Sequence, residues 1–323
     1  MSRFAKYAWF VSAYTILVIL WGAVVRATGS GAGCGNHWPA CNGEILHRPE
    51  QIETLIELSH RLTSAFAGVL VIILLIWAFR AVFAYNQTFI RRMAIMTFVF
   101  ILIEGALGAA LVRFELVADN ASVARAVVIG LHLVNTLILL GFSTLTAWGA
   151  THQHRAMHFE GFSRQGRLML IGIIGFILLS AIGAVTALGD TLFPVESLIE
   201  GIRQDLDPTA NFLIQLRIWH PIFAIVVSAF LFYTGYQILG DDSLGKNRQI
   251  TRFVNLLFAV ITLQVVGGFI NVLLLAPIWM QIVHLLLADL MWMLIIVLSA
   301  EVWIQPQTAK QKNTMNQSTS VMA

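Results

Sequence analysis

Charged side chains are scarce in this chain. Only 11% of its 323 residues are Asp, Glu, Lys or Arg, and 58% are hydrophobic, whereas soluble domains carry about 25% charged residues. That scarcity excludes a water-soluble globular fold, and a mean hydropathy of +0.79 places the chain among polytopic membrane proteins. Cysteine is scarcer still. Cys34 and Cys41 are the only two, too few for a disulfide scaffold or a four-thiolate metal centre. The net charge of +3 requires no nucleic-acid partner, because excess Lys and Arg in a membrane protein mark cytoplasmic loops. No small-residue cleavage pattern follows the first apolar stretch. Trp21 and Arg26 lead directly into a Gly-rich loop, so a retained helix is expected there.

Long apolar runs, by contrast, are plentiful. A bilayer crossing takes roughly 20 mostly apolar residues, and eight stretches qualify, at roughly 8–26, 57–79, 93–112, 126–149, 167–188, 213–239, 253–275 and 279–302. An even number of crossings returns the chain to its starting side. With the N-terminus inside, 13 of the 20 Lys and Arg residues fall in cytoplasmic segments, which sets both termini in the cytoplasm. The even-numbered spans then begin at the outer face. Each carries a histidine within about its first two turns: His60, His132, His220 and His284.

The two halves of the sequence correspond. Gly22-Ala23-Val24-Val25 matches Gly183-Ala184-Val185-Thr186 at an offset of 161, and Glu104 to Gly108 falls on Gln264 to Gly268 at 160. His60 falls on His220 at 160, and His132 on His284 at 152 because the last loop is shorter. Four spans per half make this a parallel repeat, with its axis along the membrane normal. The expected fold is an all-α membrane protein of eight transmembrane helices, arranged as two pseudo-two-fold-related four-helix bundles with both termini cytoplasmic. Residues 1–149 form the N-terminal bundle, 150–166 a cytoplasmic linker, 167–303 the C-terminal bundle and 304–323 a disordered cytoplasmic tail. His60 should face His132, and His220 should face His284. Gly105, Gly108, Gly267 and Gly268 should allow close helix approach.

Two neutral imidazoles from facing helices suit the two axial positions of a haem iron, so two such pairs point to two haem sites. Copper or zinc fits less well, since each pair lacks the further ligands of a closed site. His152, His154 and His158 lie among Arg and Gln and read as a solvated loop, while His37 and His47 in the first outer loop stay unassigned. Glu57 shares a helical face with His60, and Arg61 lies four residues beyond it. Glu57 is either half of an interfacial ion pair or a functional carboxylate beside a ligand. At the 160 offset it falls on Arg217, so only the first half carries the acid. Arg61 and Arg217 are candidate ion-pair or propionate partners. Cys34 and Cys41 face an oxidising compartment and suit a disulfide. Across so short a gap it is either a weak structural staple or, if exposed and strained, a redox-active bond. Glu104 reads as an interhelix hydrogen-bonding group and Asp289 as structural.

Together, Glu57-Leu58-Ser59-His60-Arg61, the Gly29-to-Gly43 loop with its cysteine pair and the other three histidines resemble the haem A synthase family, in its bacterial type with two cysteines in the first extracellular loop. The resemblance covers roughly 8–302. It implies a cell-membrane oxidoreductase acting on a CH group, which oxidises a methyl group of haem O to a formyl group through a hydroxymethyl intermediate and so makes haem A for terminal oxidases. By the same resemblance, His60 and His132 take the iron of the substrate haem O, and His220 and His284 ligate a resident haem b. Glu57 is the implied catalytic residue, and the Cys34–Cys41 pair assists redox chemistry or haem transfer. Implied partners are the haem O synthase (a farnesyltransferase) that supplies the substrate, membrane lipid, and an electron acceptor or donor. The residues alone also admit a di-haem b electron-transfer cytochrome or a haem transporter. Four ligands near one face argue against a wire across the membrane, and their fixed placement argues against transport.

Overall fold

The computed structural model describes residues 1–44, 50–153, 157–159 and 163–306. Among them the chain is helical almost throughout: α1 (Arg3–Ala27), α2 (Ile52–Arg80), α3 (Gln87–Arg113), α4 (Val123–Thr151), α5 (Arg164–Leu192), α6 (Leu198–Asp205), α7 (Phe212–Arg217), α8 (Trp219–Leu239), α9 (Arg248–Leu273) and α10 (Ile278–Trp303). Eight segments are long and apolar enough to cross a membrane, the sixth being α7 and α8 together. Most begin a few residues before their apolar runs, because polar side chains cap the first turns. Ser2, Ser122, Ser163 and Asn247 accept the orphan amides of Ala5, Arg125, Gly166 and Gln249.

The sixth span is broken between Arg217 and Trp219. Pro221 has no amide proton to return to the Arg217 carbonyl, and its ring crowds that same carbonyl. Arg61 occupies the corresponding position of α2, which runs unbroken. The short α6 was not anticipated from hydropathy, although Ser197 caps it by accepting the Glu200 amide at 3.2 Å.

Helices α1 to α4 pack on one another, as do α5 and α7 to α10, and the two groups meet along α1, α4, α5 and α10. The largest core lies on this seam, with Ile16, Leu137 and Leu140 from one side and Phe176, Trp292 and Ile295 from the other. Trp292 pins the seam. Its indole donates to the Leu137 carbonyl at 2.6 Å and stacks on Phe176 at 5.4 Å between ring centres. Within the first group, Ser12 and Ser143 share a buried hydrogen bond of 2.7 Å between α1 and α4.

At the far end of the bundle, Met157–Phe159 pairs antiparallel with Ile304–Pro306, and Trp303 donates to the Gly166 carbonyl at 3.0 Å. The segment after α10 is thereby fastened to the linker. The rest of the expected tail, 307–323, lies outside the described residues, as do His47 and His154 and the side chain of His158. His152 does not belong to a solvated loop. It caps α4, its ring packs 5.0 Å from Trp148, and its Nε2 stands 3.6 Å from Glu301. Amphipathic burial of the α4 end overrides the polar local sequence. The expectation for the α3 glycines also fails, because nothing lies within 4 Å of a Cβ built at Gly105 or Gly108. Gly267 and Gly268 on α9 do meet neighbours, among them the His284 ring.

Candidate functional site

All four span histidines stand within the first ten residues of their spans. The rings of His220 and His284 face each other, with centres 6.5 Å apart and planes at 83°. Two imidazoles on opposite sides of one metal ion, at metal–nitrogen distances of about 2 Å, place their ring centres about 6.5 Å apart. His60 and His132 form the other pair and lie within electrostatic range of each other. In all four rings Nδ1 is buried without a hydrogen-bond partner. Buried imidazole nitrogens are ordinarily satisfied, so Nδ1 of His60 and of His284, one in each pair, fits a ring whose environment is completed by a bound group; His132 Nδ1 has Glu104 nearby and His220 has the Leu179 backbone beside it. Among the described residues no cluster of three or more His, Cys, Asp or Glu could hold a metal ion. A facing pair of imidazoles is the donor set a haem iron uses.

Glycines seat these rings. A Cβ at Gly22 would lie 3.0 Å from Cε1 of His60, one at Gly183 would lie 2.9 Å from Cε1 of His220, and one at Gly268 would lie 3.1 Å from Cε1 of His284. Gly22 and Gly183 are the repeat-related pair seen in the sequence, and the structure supplies their reason: α1 and α5 must run against the imidazole edge. Beside His132 and His284 stand side chains from α3 and α9, each meeting a different ring nitrogen. Glu104 Oε1 stands 3.5 Å from His132 Nδ1, and Gln264 Nε2 stands 3.2 Å from His284 Nε2. Glu104 also accepts from Asn135 and Thr136, the interhelix role read from the sequence.

Glu57, Arg61 and the cysteine loop form one assembly. Glu57 is 3% exposed and accepts the Cys34 amide at 2.7 Å through Oε2. Its Oε1 pairs with Arg61, whose Nη1 also donates to the carbonyls of His37 and Ala40, both at 2.7 Å. Thr54 donates to the Gly33 carbonyl at 2.7 Å. Gly33 touches the start of α2 so closely that a Cβ would fall 2.5 Å from the Glu53 carbonyl carbon. The Cys34–Cys41 disulfide is formed, and both cysteines are buried. The loop folds over its own disulfide and is clamped onto α2, so the exposure on which the redox-active alternative rests is absent. Arg61 is an ion-pair partner that spends most of its N–H groups on the protein.

The second half has no such loop. Arg217 is buried and bridges Asp190 at 3.4 Å and Asp205 at 2.9 Å, while donating to the Phe193 carbonyl at 3.2 Å. It is likewise committed to protein acceptors. Arg26 escaped the sequence reading. It leaves α1 and bonds across to the other group: the Ala187 carbonyl at 2.6 Å, Thr191 Oγ1 at 2.7 Å and Gln281 Oε1 at 2.8 Å. An arginine at the end of an apolar span was its one sequence signal. Asp289 is fully buried on the seam side of α10, and neither carboxylate oxygen has a hydrogen-bond partner.

Residues 5–296 match the COX15-CtaA family, described as cytochrome oxidase assembly protein. The chain is 43% identical over 298 residues to a protein named protoheme IX farnesyltransferase from Thermus thermophilus, across 92% of this chain and 48% of that protein. It is 47% identical over 117 residues to a heme A synthase from Geobacillus kaustophilus, across 35% of each chain. A heme A synthase from Bacillus mycoides is 44% identical over 113 residues, across 35% of this chain and 36% of its own. The chain spans about half the length of the Thermus relative and matches about a third of the other two. Since the family match runs from the first span into the eighth, the chain belongs to the COX15-CtaA family of cytochrome oxidase assembly proteins.

Proposed function

We propose that this membrane protein is a haem A synthase, oxidising a methyl group of haem O to a formyl group through a hydroxymethyl intermediate. The observation that carries the reading is an asymmetry between two similar histidine pairs. Only the pair His60 and His132 has a buried carboxylate, Glu57, one turn away and locked to a disulfide-closed loop. The names of the Geobacillus and Bacillus relatives support the activity.

In this reading the two halves are related by a pseudo-two-fold axis, both termini are cytoplasmic, and the sites lie near the extracellular face of the cell membrane. His60 and His132 hold the iron of the substrate haem O, with Gly22 fixing the His60 ring. His220 and His284, at 6.5 Å, hold a resident haem b. Bound there, haem b supplies one-electron transfer. Glu57 is the proton acceptor for the reacting methyl group. Its pairing with Arg61 and the Cys34 amide holds the carboxylate in one orientation. In this route water supplies the oxygen atom: the methyl group and one water give the hydroxymethyl group with loss of two protons and two electrons, and the hydroxymethyl group gives the formyl group with loss of two more of each. Glu57 takes up the protons, and the electrons leave one at a time to a one-electron acceptor outside the chain. A relative named for protoheme farnesyl transfer, about twice as long as the stretch it shares with this chain, supports a working contact with a haem O-forming farnesyltransferase.

The test is extraction and chromatography of the haems from protein made in cells that produce haem O, with pyridine haemochrome spectra of the same samples. Haem b together with haem O or haem A is expected, and Glu57→Ala should retain haem b and form no haem A. Two haems b per chain with no haem A formed would favour the electron-transfer cytochrome and end the synthase reading.

A further inference from the structure

The two histidine sites differ in the side chain that stands behind one ligand. On α3, Glu104 has Oε1 3.5 Å from Nδ1 of His132. Its carboxylate is fixed by two neighbours on α4, Asn135 donating to Oε2 and Thr136 to Oε1. Asn135 is itself held by the Phe100 carbonyl at 3.0 Å. The position 160 residues later is Gln264, a neutral amide whose Nε2 stands 3.2 Å from the other ring nitrogen, Nε2, of His284. The offset that carries His132 onto His284 carries Asn135 onto Leu287 and Thr136 onto Ala288. The second half therefore lacks the carboxylate and both of the donors that orient it. An acid and its two supports occur together at one site and are replaced together at the other. Chance polar substitution in an apolar helix does not readily give that pattern, because each group alone is costly in a membrane.

A carboxylate held near the outward nitrogen of an imidazole ligand favours the tautomer that carries its proton there and makes the ligand nitrogen more basic. It also places a negative charge near the iron, which favours the oxidised metal, and a neutral amide brings no such charge. Resting on the haem reading of the two pairs, we infer that Glu104 is a positioning residue that sets the first site at a lower reduction potential than the second. The pair Glu104 and Gln264 orders the two sites, so that electrons at equilibrium reside on the His220–His284 haem. Asn135 and Thr136 serve this function by holding the carboxylate against His132.

Spectroelectrochemical titration of the full-length protein, with both sites filled by reconstitution with haemin, tests it. Two midpoints are expected, and the lower is assigned to the first site by its loss in His132→Ala. Glu104→Gln should raise the lower midpoint by at least a tenfold change in the reduction equilibrium, 59 mV for one electron, and leave the upper one in place. Gln264→Glu should lower the upper midpoint alone, and it decides the matter if Glu104→Gln does not fold. Unchanged midpoints in the folded variants, or a first site that already lies higher, would overturn the inference. Failure of the synthase reading is seen separately, as absence of haem A from a wild-type protein whose two midpoints are still measurable.

Discussion

Gly183→Ala perturbs one contact whose size can be worked out. The added Cβ would lie 2.9 Å from Cε1 and 3.2 Å from Nδ1 of His220. Carbon atoms in contact normally stand about 3.5–4.0 Å apart, so the ring must retreat by roughly 0.6–1 Å. That is a large fraction of an iron–imidazole bond of about 2 Å, and overpacking of this kind costs about 1–3 kcal/mol. The change also has a benefit, since Ala is better than Gly in a helix interior by about 1 kcal/mol. Gly175→Ala separates the two effects. It lies on the same helix, and its Cβ would meet Val227 at 3.5 Å, an ordinary contact. Gly175→Ala should therefore keep full haem content and melt at or above the wild-type temperature. Gly183→Ala should lose most of the haem held by His220 and His284, read as haem per polypeptide and as loss of half the low-spin visible absorbance. Normal haem content and spectrum in Gly183→Ala would refute the view that this glycine exists to seat the ligand.

Two further outcomes follow from the seam between the helix groups. Arg26→Ala removes three hydrogen bonds that tie α1 to α5 and α10; it should destabilise the protein by about 3 kcal/mol or more, and an unchanged thermal melt in detergent would show that the seam does not depend on it. Asp289→Leu replaces a fully buried, unpartnered carboxyl with the residue type found at Leu137, 152 positions earlier. The melt should rise, by about 1–3 kcal/mol, and a fall accompanied by loss of haem would mean that Asp289 serves the site rather than merely occupying the core.

Periodicity and apolar length made the eight spans legible, because the bilayer requires a continuous apolar helix wherever backbone groups cross it. The histidines were legible for a related reason: a polar ring in such a helix stands out against its surroundings, and internal repetition gives it a control. The sixth run reads as one continuous span, and the break before Pro221, which follows from the missing amide proton, was not anticipated. Gly22 and Gly183 could be matched by sequence, but their purpose could not be read, since it lies in an imidazole edge on another helix. Arg26 shows the limit more sharply. Its acceptors are 161 to 255 residues away, and no local pattern encodes which carbonyls a seam will leave open. The cysteines show it in reverse. Local spacing suited a small exposed bridge, whereas Glu57 and Arg61 draw the loop onto α2 and bury it. The same two residues explain why an acid at the membrane edge is tolerated. Its desolvation is offset by a guanidinium and a backbone amide held at fixed positions, and that fixed geometry is also what a proton acceptor beside a substrate requires.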